Sequence, residues 1–263
     1  MTAVTYSRPV RVQPGGTSLA TLTRVELRKS YDTRAGAWLL AVIGAVAVAM
    51  VVLQVAVLDA GDDSFAGLFL SVQLPVGVLL PVVGILMVTS EWSTRSVVPT
   101  FSLVPDRRRV VAAKLAAAVL LALAAVATGA AAAAAGHLAA VAAGAPDSWA
   151  LAPGDTALVA LFQLVNVLVG VAFGLALLSS PLAIVLFFVL PTGFTVVTLL
   201  VDSLRDPARW LDLSAATEPL LGSAVTDAPM DGQAWAHLGT ALLLWLALPL
   251  VLGVVRVLRD DVT

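Results

Sequence analysis

Long apolar runs separated by short charged clusters organise this chain. Five stretches contain no Asp, Glu, Lys or Arg, at residues 36–58, 64–90, 115–146, 156–201 and 232–255. A helix needs ~20 apolar residues to cross the ~30 Å hydrocarbon core, so each stretch is long enough to span a bilayer. The fourth, as one helix, would run roughly 69 Å, more than twice that thickness. It must fold as two spans. Ser179, Ser180 and Pro181 supply the break, a serine capping the second helix and the proline taking its first position, where a missing N–H costs nothing. The pattern therefore predicts an all-α integral membrane protein with six transmembrane helices, at about 36–58, 65–89, 115–138, 156–178, 181–201 and 233–255. Residues 1–17, with Pro9, Pro14, Gly15 and Gly16, read as a disordered tail ahead of a six-helix domain at 18–263. They do not read as a secretory signal, since some thirty-five polar, arginine-bearing residues precede an apolar run too long for one.

Charge between the spans sets the orientation. Arg8, Arg11, Arg24, Arg28, Lys29 and Arg34 precede the first span, Arg95, Arg107, Arg108, Arg109 and Lys114 lie between the second and third, and Arg256 and Arg259 follow the sixth. Only Arg205 and Arg209 fall on the other side. The positive-inside rule then predicts a multi-pass plasma-membrane protein with both termini cytoplasmic. Five spans would balance the charges equally well, so the length of the fourth stretch decides the count. Trp38 and Trp92 at one side and Trp149, Trp210 and Trp235 at the other are placed as interfacial anchors, while Trp245 falls mid-span. Pro75, Pro81, Pro191 and Pro249 should kink their helices. Small residues throughout span three, and Gly170 with Gly174 in span four, invite close helix approach.

Composition narrows the chemistry. Of 263 residues 60% are hydrophobic and 12% charged, about half the charged share of a soluble domain, so membrane lipids are the surrounding medium. The 15 basic residues are offset by 17 acidic ones without a basic, aromatic-interleaved patch, which argues against nucleic acid. The absence of cysteine excludes thiol nucleophiles and sulfur-ligated zinc. No phosphate-binding loop occurs, because neither Lys29 nor Lys114 follows a glycine, so the chain is not expected to hydrolyse ATP. The span interiors hold no carboxylate or base, which disfavours an ion-coupled carrier. His137 and His237 fall near span ends as interfacial residues; no metal site is expected.

The segment MVTSEWSTRSVVPTFSLVPDRRRVVAAKLAAA runs from span two into span three. Its acidic residue closing span two, Thr/Leu-rich stretch, proline, basic cluster and opening lysine resemble the membrane-spanning permease subunits of type-two ATP-binding-cassette exporters. FGLALLSSPLAIVLFFVLP at 173–191 is similar to that family's span four, short turn and span five, and GVVRVLRDDV to its end. The resemblance implies an export permease working as a homodimer or with a similar subunit. Its ATP and magnesium would be held by a separate ATPase subunit. It also implies an N-terminal amphipathic elbow helix at 18–34 and a cytoplasmic coupling helix between spans two and three that docks on the ATPase. That segment carries Glu91, Thr94, Arg95, Thr100, Pro105, Arg107, Arg108, Arg109 and Lys114. One departure is the turn at Ser179, Ser180 and Pro181, which lacks the basic residue often found there in the family. Residues 202–233, acidic with apolar pieces, would include short helices acting as an external gate.

Uncharged polar groups in the outer halves of the spans mark a candidate substrate path or gate. They are Gln54, Gln73, Gln163 and Asn166, with Thr195 between Thr192 and Thr198 on span five. Amides are expensive in lipid and should face the bundle, where interhelical packing is the competing role. A membrane anchor or sensor that transports nothing, and a secondary carrier, are the alternative functions.

Overall fold

A computed structural model describes residues 18–56, 64–93, 106–226 and 230–259. Among the described residues eight principal helices carry the fold: α1 (Leu19–Asp32), α2 (Arg34–Ala56), α3 (Phe65–Ser93), α4 (Arg107–Ala142), α5 (Pro153–Leu177), α6 (Ser180–Leu200), α7 (Leu213–Thr226) and α8 (Gly232–Arg259). Six of them, α2 to α6 and α8, are long and apolar enough to cross a membrane. The chain is a helical, multi-pass membrane protein. Five spans outrun their charge-free cores; α4, at 36 residues, starts eight positions before the expected 115. A helix continues past the bilayer edge as long as its backbone bonds are made, so charges mark the interface and not the helix end. Glu91 and Lys114 thereby become helix-interior residues.

α3 and α5 form the centre, burying 61% and 67% of their most apolar stretches against 17%, 22% and 22% for α2, α6 and α8. Small residues explain the close crossing. A Cβ added at Gly170 would collide with the Pro81 carbonyl oxygen, one at Gly84 would sit 2.8 Å from the Val167 oxygen, and one at Gly174 3.2 Å from that of Ile85. Leu68, Phe69, Val72, Val76, Leu80, Val83 and Ile85 fill the α3 side of this core, each at most 2% exposed. α4 adds a face of alanine and glycine, Ala113, Ala117, Ala118, Gly129, Ala133 and Gly136. α2 contributes a narrow stripe, Ile43, Ala47 and Val51, with Gly36 buried at its start.

The connections explain how the chain reverses. α1 meets α2 at a turn so tight that a Cβ on Gly36 would strike the Ser30 carbonyl, and Thr33 Oγ1 accepts from the Gly36 N–H at 3.1 Å. Between α5 and α6 the break falls where expected, with different local chemistry. Ser179 is the N-cap but makes no side-chain capping bond, Ser180 is the first helical residue, and Pro181 is the second. The Ser180 hydroxyl instead pairs with Thr89 Oγ1 of α3 at 2.7 Å. In α8 the residues before Pro249, Leu243–Ala247, are wound as a π turn, which accommodates a proline ring that would otherwise clash with the carbonyl four residues back.

Beyond α6 the chain forms a short 3-10 turn (Asp202–Leu204) and a single helical turn (Arg205–Ala208) before α7. Leu211 O accepts from Trp245 Nε1 at 2.7 Å, and Trp245 lies 13 residues, about 20 Å, into α8. The start of α7 thus sits about halfway down α8. Its Ala216, Thr217, Leu220 and Leu221 are buried against the bundle. Residues 202–226 fold back among the spans instead of lying over them.

Candidate functional site: a closed ion ring at the basic end

α1 presents an inverted face to the bundle. Thr23, Glu26 and Ser30, at helical spacing, are buried, while Leu19, Val25 and Tyr31 are exposed. A polar stripe can face inward only if something there satisfies it. Lys29 Nζ contacts Glu26 Oε1 at 2.8 Å and Glu91 Oε1 at 2.5 Å; Lys114 Nζ contacts Glu26 Oε2 at 2.6 Å and Glu91 Oε2 at 3.1 Å. The four residues close a ring of alternating charge in which each carboxylate uses one oxygen per lysine. Lys114 also donates to the Met87 carbonyl at 3.1 Å. These are the only two lysines of the chain and two of its three glutamates. Burial is deep for Glu26, Glu91 and Lys114, at 4%, 6% and 4% exposed. Burial alone would lower the Lys29 pKa, but the Glu26 carboxylate and the hydrogen bonds to Glu26 and Glu91 outweigh it and raise it above the usual lysine value.

The ring belongs to a larger set of polar links at this end. Arg107 Nη1 donates to the Val257 carbonyl at 2.8 Å, joining α4 to α8, and Arg256 Nη1 donates to the Ala176 carbonyl at 2.9 Å, joining α8 to α5. Ser180 with Thr89 joins α6 to α3. The α5–α6 turn lacks a basic residue of its own, yet Arg256 brings one beside it from the end of α8.

The sequence-selected coupling residues divide in two. Thr94, Arg95, Thr100 and Pro105 lie outside the described residues. Glu91 and Lys114 are turned inward to the ring and offer little surface to a partner, whereas Arg108 is exposed at the start of α4, where Asp106 caps the helix by accepting from the Arg108 N–H at 3.1 Å. Arg107 and Arg109 are half-buried on the same turn. Charge spacing alone does not mark Glu26 and Lys29 as partners of Glu91 and Lys114; the polar Thr23, Glu26, Ser30 stripe is the one signal of them in the sequence.

The polar groups of the candidate path also separate. Gln73 and Gln163 are wholly buried and face each other: Gln163 Nε2 donates to Gln73 Oε1 and to the Gln73 carbonyl, each at 2.9 Å. Gln73 Nε2 and Gln163 Oε1 have no hydrogen-bond partner. Gly129 makes room for this pair, since a Cβ there would lie 2.5 Å from Gln73 Nε2. The two glutamines therefore join α3 to α5. Half-buried Asn166 donates to the Phe162 carbonyl at 2.9 Å, and Gln54 is half-buried near the end of α2.

Thr195 faces a cleft. Its hydroxyl lies 3.1 Å from Asp212 Oδ1, which also accepts from the Ser214 and Ala215 N–H groups and so caps α7. The cleft beside it, about 490 Å³, is lined by Thr195, Thr198, Arg209, Asp212, Ser214 and Glu218. Its floor is a helix terminus already satisfied by a buried carboxylate. Among the described residues no group of three or more His, Asp or Glu is arranged to hold a metal ion. No family model matches the chain, and no curated protein matches it.

Proposed function

We propose that this chain is the membrane-spanning subunit of an ATP-driven exporter of the type-two cassette class, coupled to a separate ATPase subunit at its basic end. The observation that carries the reading is the ion ring. It joins an amphipathic N-terminal helix to the two helices, at Glu91 and Lys114, on either side of the segment 92–113 that carries Arg95, Arg107, Arg108 and Arg109. A push on that segment is delivered to α1, α3 and α4 together, because the ring makes them one mechanical unit. The positive-inside rule puts this end in the cytoplasm, where an ATPase is available.

The protomer centre is closed by the Gln73–Gln163 pair and the tight α3–α5 crossing, which favours a substrate path between two copies over one through a single copy. The fold-back at 202–226 is placed to act as its external gate, with Thr195 and Asp212 fixing its base. Plasma-membrane location and cytoplasmic termini belong to the same reading.

Single cysteines placed from Thr94 to Arg109, in a complex with the accompanying ATPase, should crosslink to it, and the purified chain alone should not turn over ATP. Crosslinking confined to residues 1–17, or ATP hydrolysis by the isolated chain, would overturn this function.

A further inference from the structure

A lateral groove of about 280 Å³ opens between α5, α6 and α8 in the half of the bundle nearer the basic end. Phe173, Ala176, Leu190, Trp245, Leu248 and Leu252 are among its walls. The Trp245 N–H, its one polar atom, is already given to Leu211 O. The groove follows from packing. At Gly253 α8 presses against the backbone of Leu175 and Ala176, where any Cβ would clash. α6 is held to α5 separately by the edge-on Phe173–Phe187 contact, with ring centroids 5.9 Å apart. The two helices flank α5 without filling the space between them. Leu190, Leu248 and Leu252, at 46%, 50% and 57% exposed, form a mouth that faces the bilayer.

Beyond the groove at the basic end lies a cation. Arg256 is one turn beyond Leu252, is exposed, and donates to the carbonyl of Ala176, itself a wall residue. An apolar slot open to lipid with a guanidinium one helical turn beyond its last wall residue on α8 matches one common amphiphile in both parts.

We propose that this groove seats an acyl chain of an anionic phospholipid from the leaflet at the basic end, with Arg256 holding its phosphate. The lipid fills the wedge between α6 and α8 and joins the α5–α6 turn to the end of α8. This site is independent of the exporter reading.

Trp245 reports on it directly. In nanodiscs of phosphatidylcholine doped with phosphatidylglycerol brominated halfway along the acyl chain, the fluorescence difference between the wild-type chain and Trp245→Phe isolates that residue. Brominated phosphatidylglycerol should quench it several-fold more than brominated phosphatidylcholine at equal mole fraction. Arg256→Gln should abolish the preference, and Ala176→Phe, which fills the slot, should abolish quenching by both. Equal quenching by the two lipids, a preference unchanged in Arg256→Gln, or no quenching by either would overturn the proposal. Should Trp245→Phe not fold, native mass spectrometry of the wild-type chain and Arg256→Gln decides: one phosphatidylglycerol fewer on the variant supports the site, and equal retention overturns it.

Discussion

Lys114 and Glu26 stand 88 residues apart in the chain and meet at 2.6 Å, each side chain only 5% exposed. Two buried charges cost several kcal/mol each in desolvation unless geometry and further bonds compensate. Here Glu91, Lys29 and the Met87 carbonyl supply those bonds. The arrangement carries no net charge, so the bundle tolerates it only while its charges stay balanced.

Removing one member should therefore hurt more than removing a balanced pair. Lys114→Met leaves two buried carboxylates with one lysine and is expected to lose about 3–5 kcal/mol. Glu26→Gln combined with Lys114→Met retains the Lys29–Glu91 pair and should recover much of that loss. Thermal unfolding in detergent measures both; a Lys114→Met chain as stable as wild type would mean that the ring does not hold α1.

The ring also has a pH signature. The Lys29 pKa is raised above 10.5, so the folded state holds that proton more tightly than the unfolded chain. Its contribution is fully present below pH 10.5 and is lost as pH rises through the raised value. The stability gap between wild type and Lys29→Met should stay constant from neutral pH to about 10 and narrow only above it. A gap that closes below pH 9 would contradict the assignment.

Gln73 and Gln163 test packing against transport. Gln163→Leu strips the donor from a buried Gln73 oxygen and should cost about 1–3 kcal/mol. With Gln73→Leu added, no polar group remains to be satisfied, and stability should return to within about 1 kcal/mol of wild type, because interhelical bonds in membranes average only ~0.6 kcal/mol. Equilibrium unfolding of the three variants gives the comparison. A double variant as unstable as the single one would show that the amides do more than join α3 to α5.

Glycine positions differ sharply in what they tolerate. Gly170→Ala drives a methyl group into the Pro81 carbonyl and should destabilise by ~1–3 kcal/mol. Nothing lies within 4 Å of the Cβ position at Gly193 on α6, so Gly193→Ala should be neutral or stabilising by up to ~1 kcal/mol through helix propensity. Folded yield and melting temperature measured side by side would expose an error in the α3–α5 crossing if the two variants behave alike.

The run lengths of apolar residues by themselves determined that the chain crosses a membrane, that the 46-residue stretch is two helices broken near Ser179–Pro181, and that the spans number six. These properties are local: bilayer thickness acts on each segment separately, and a proline interrupts a helix whatever packs beside it. Gly170 and Gly174 were legible for the same reason, since a missing side chain advertises close approach. Which helix approaches was not legible. Tertiary structure alone decided that Glu91 and Lys114 turn inward to Glu26 and Lys29, that Gln73 and Gln163 satisfy each other, that α7 descends to the level of Trp245, and that Arg256 reaches the α5–α6 turn. Each joins residues from 34 to 90 positions apart, where the pairing depends on the relative rotation and crossing of whole helices. Periodicity gives a helix a face, but only the packed bundle gives that face a neighbour.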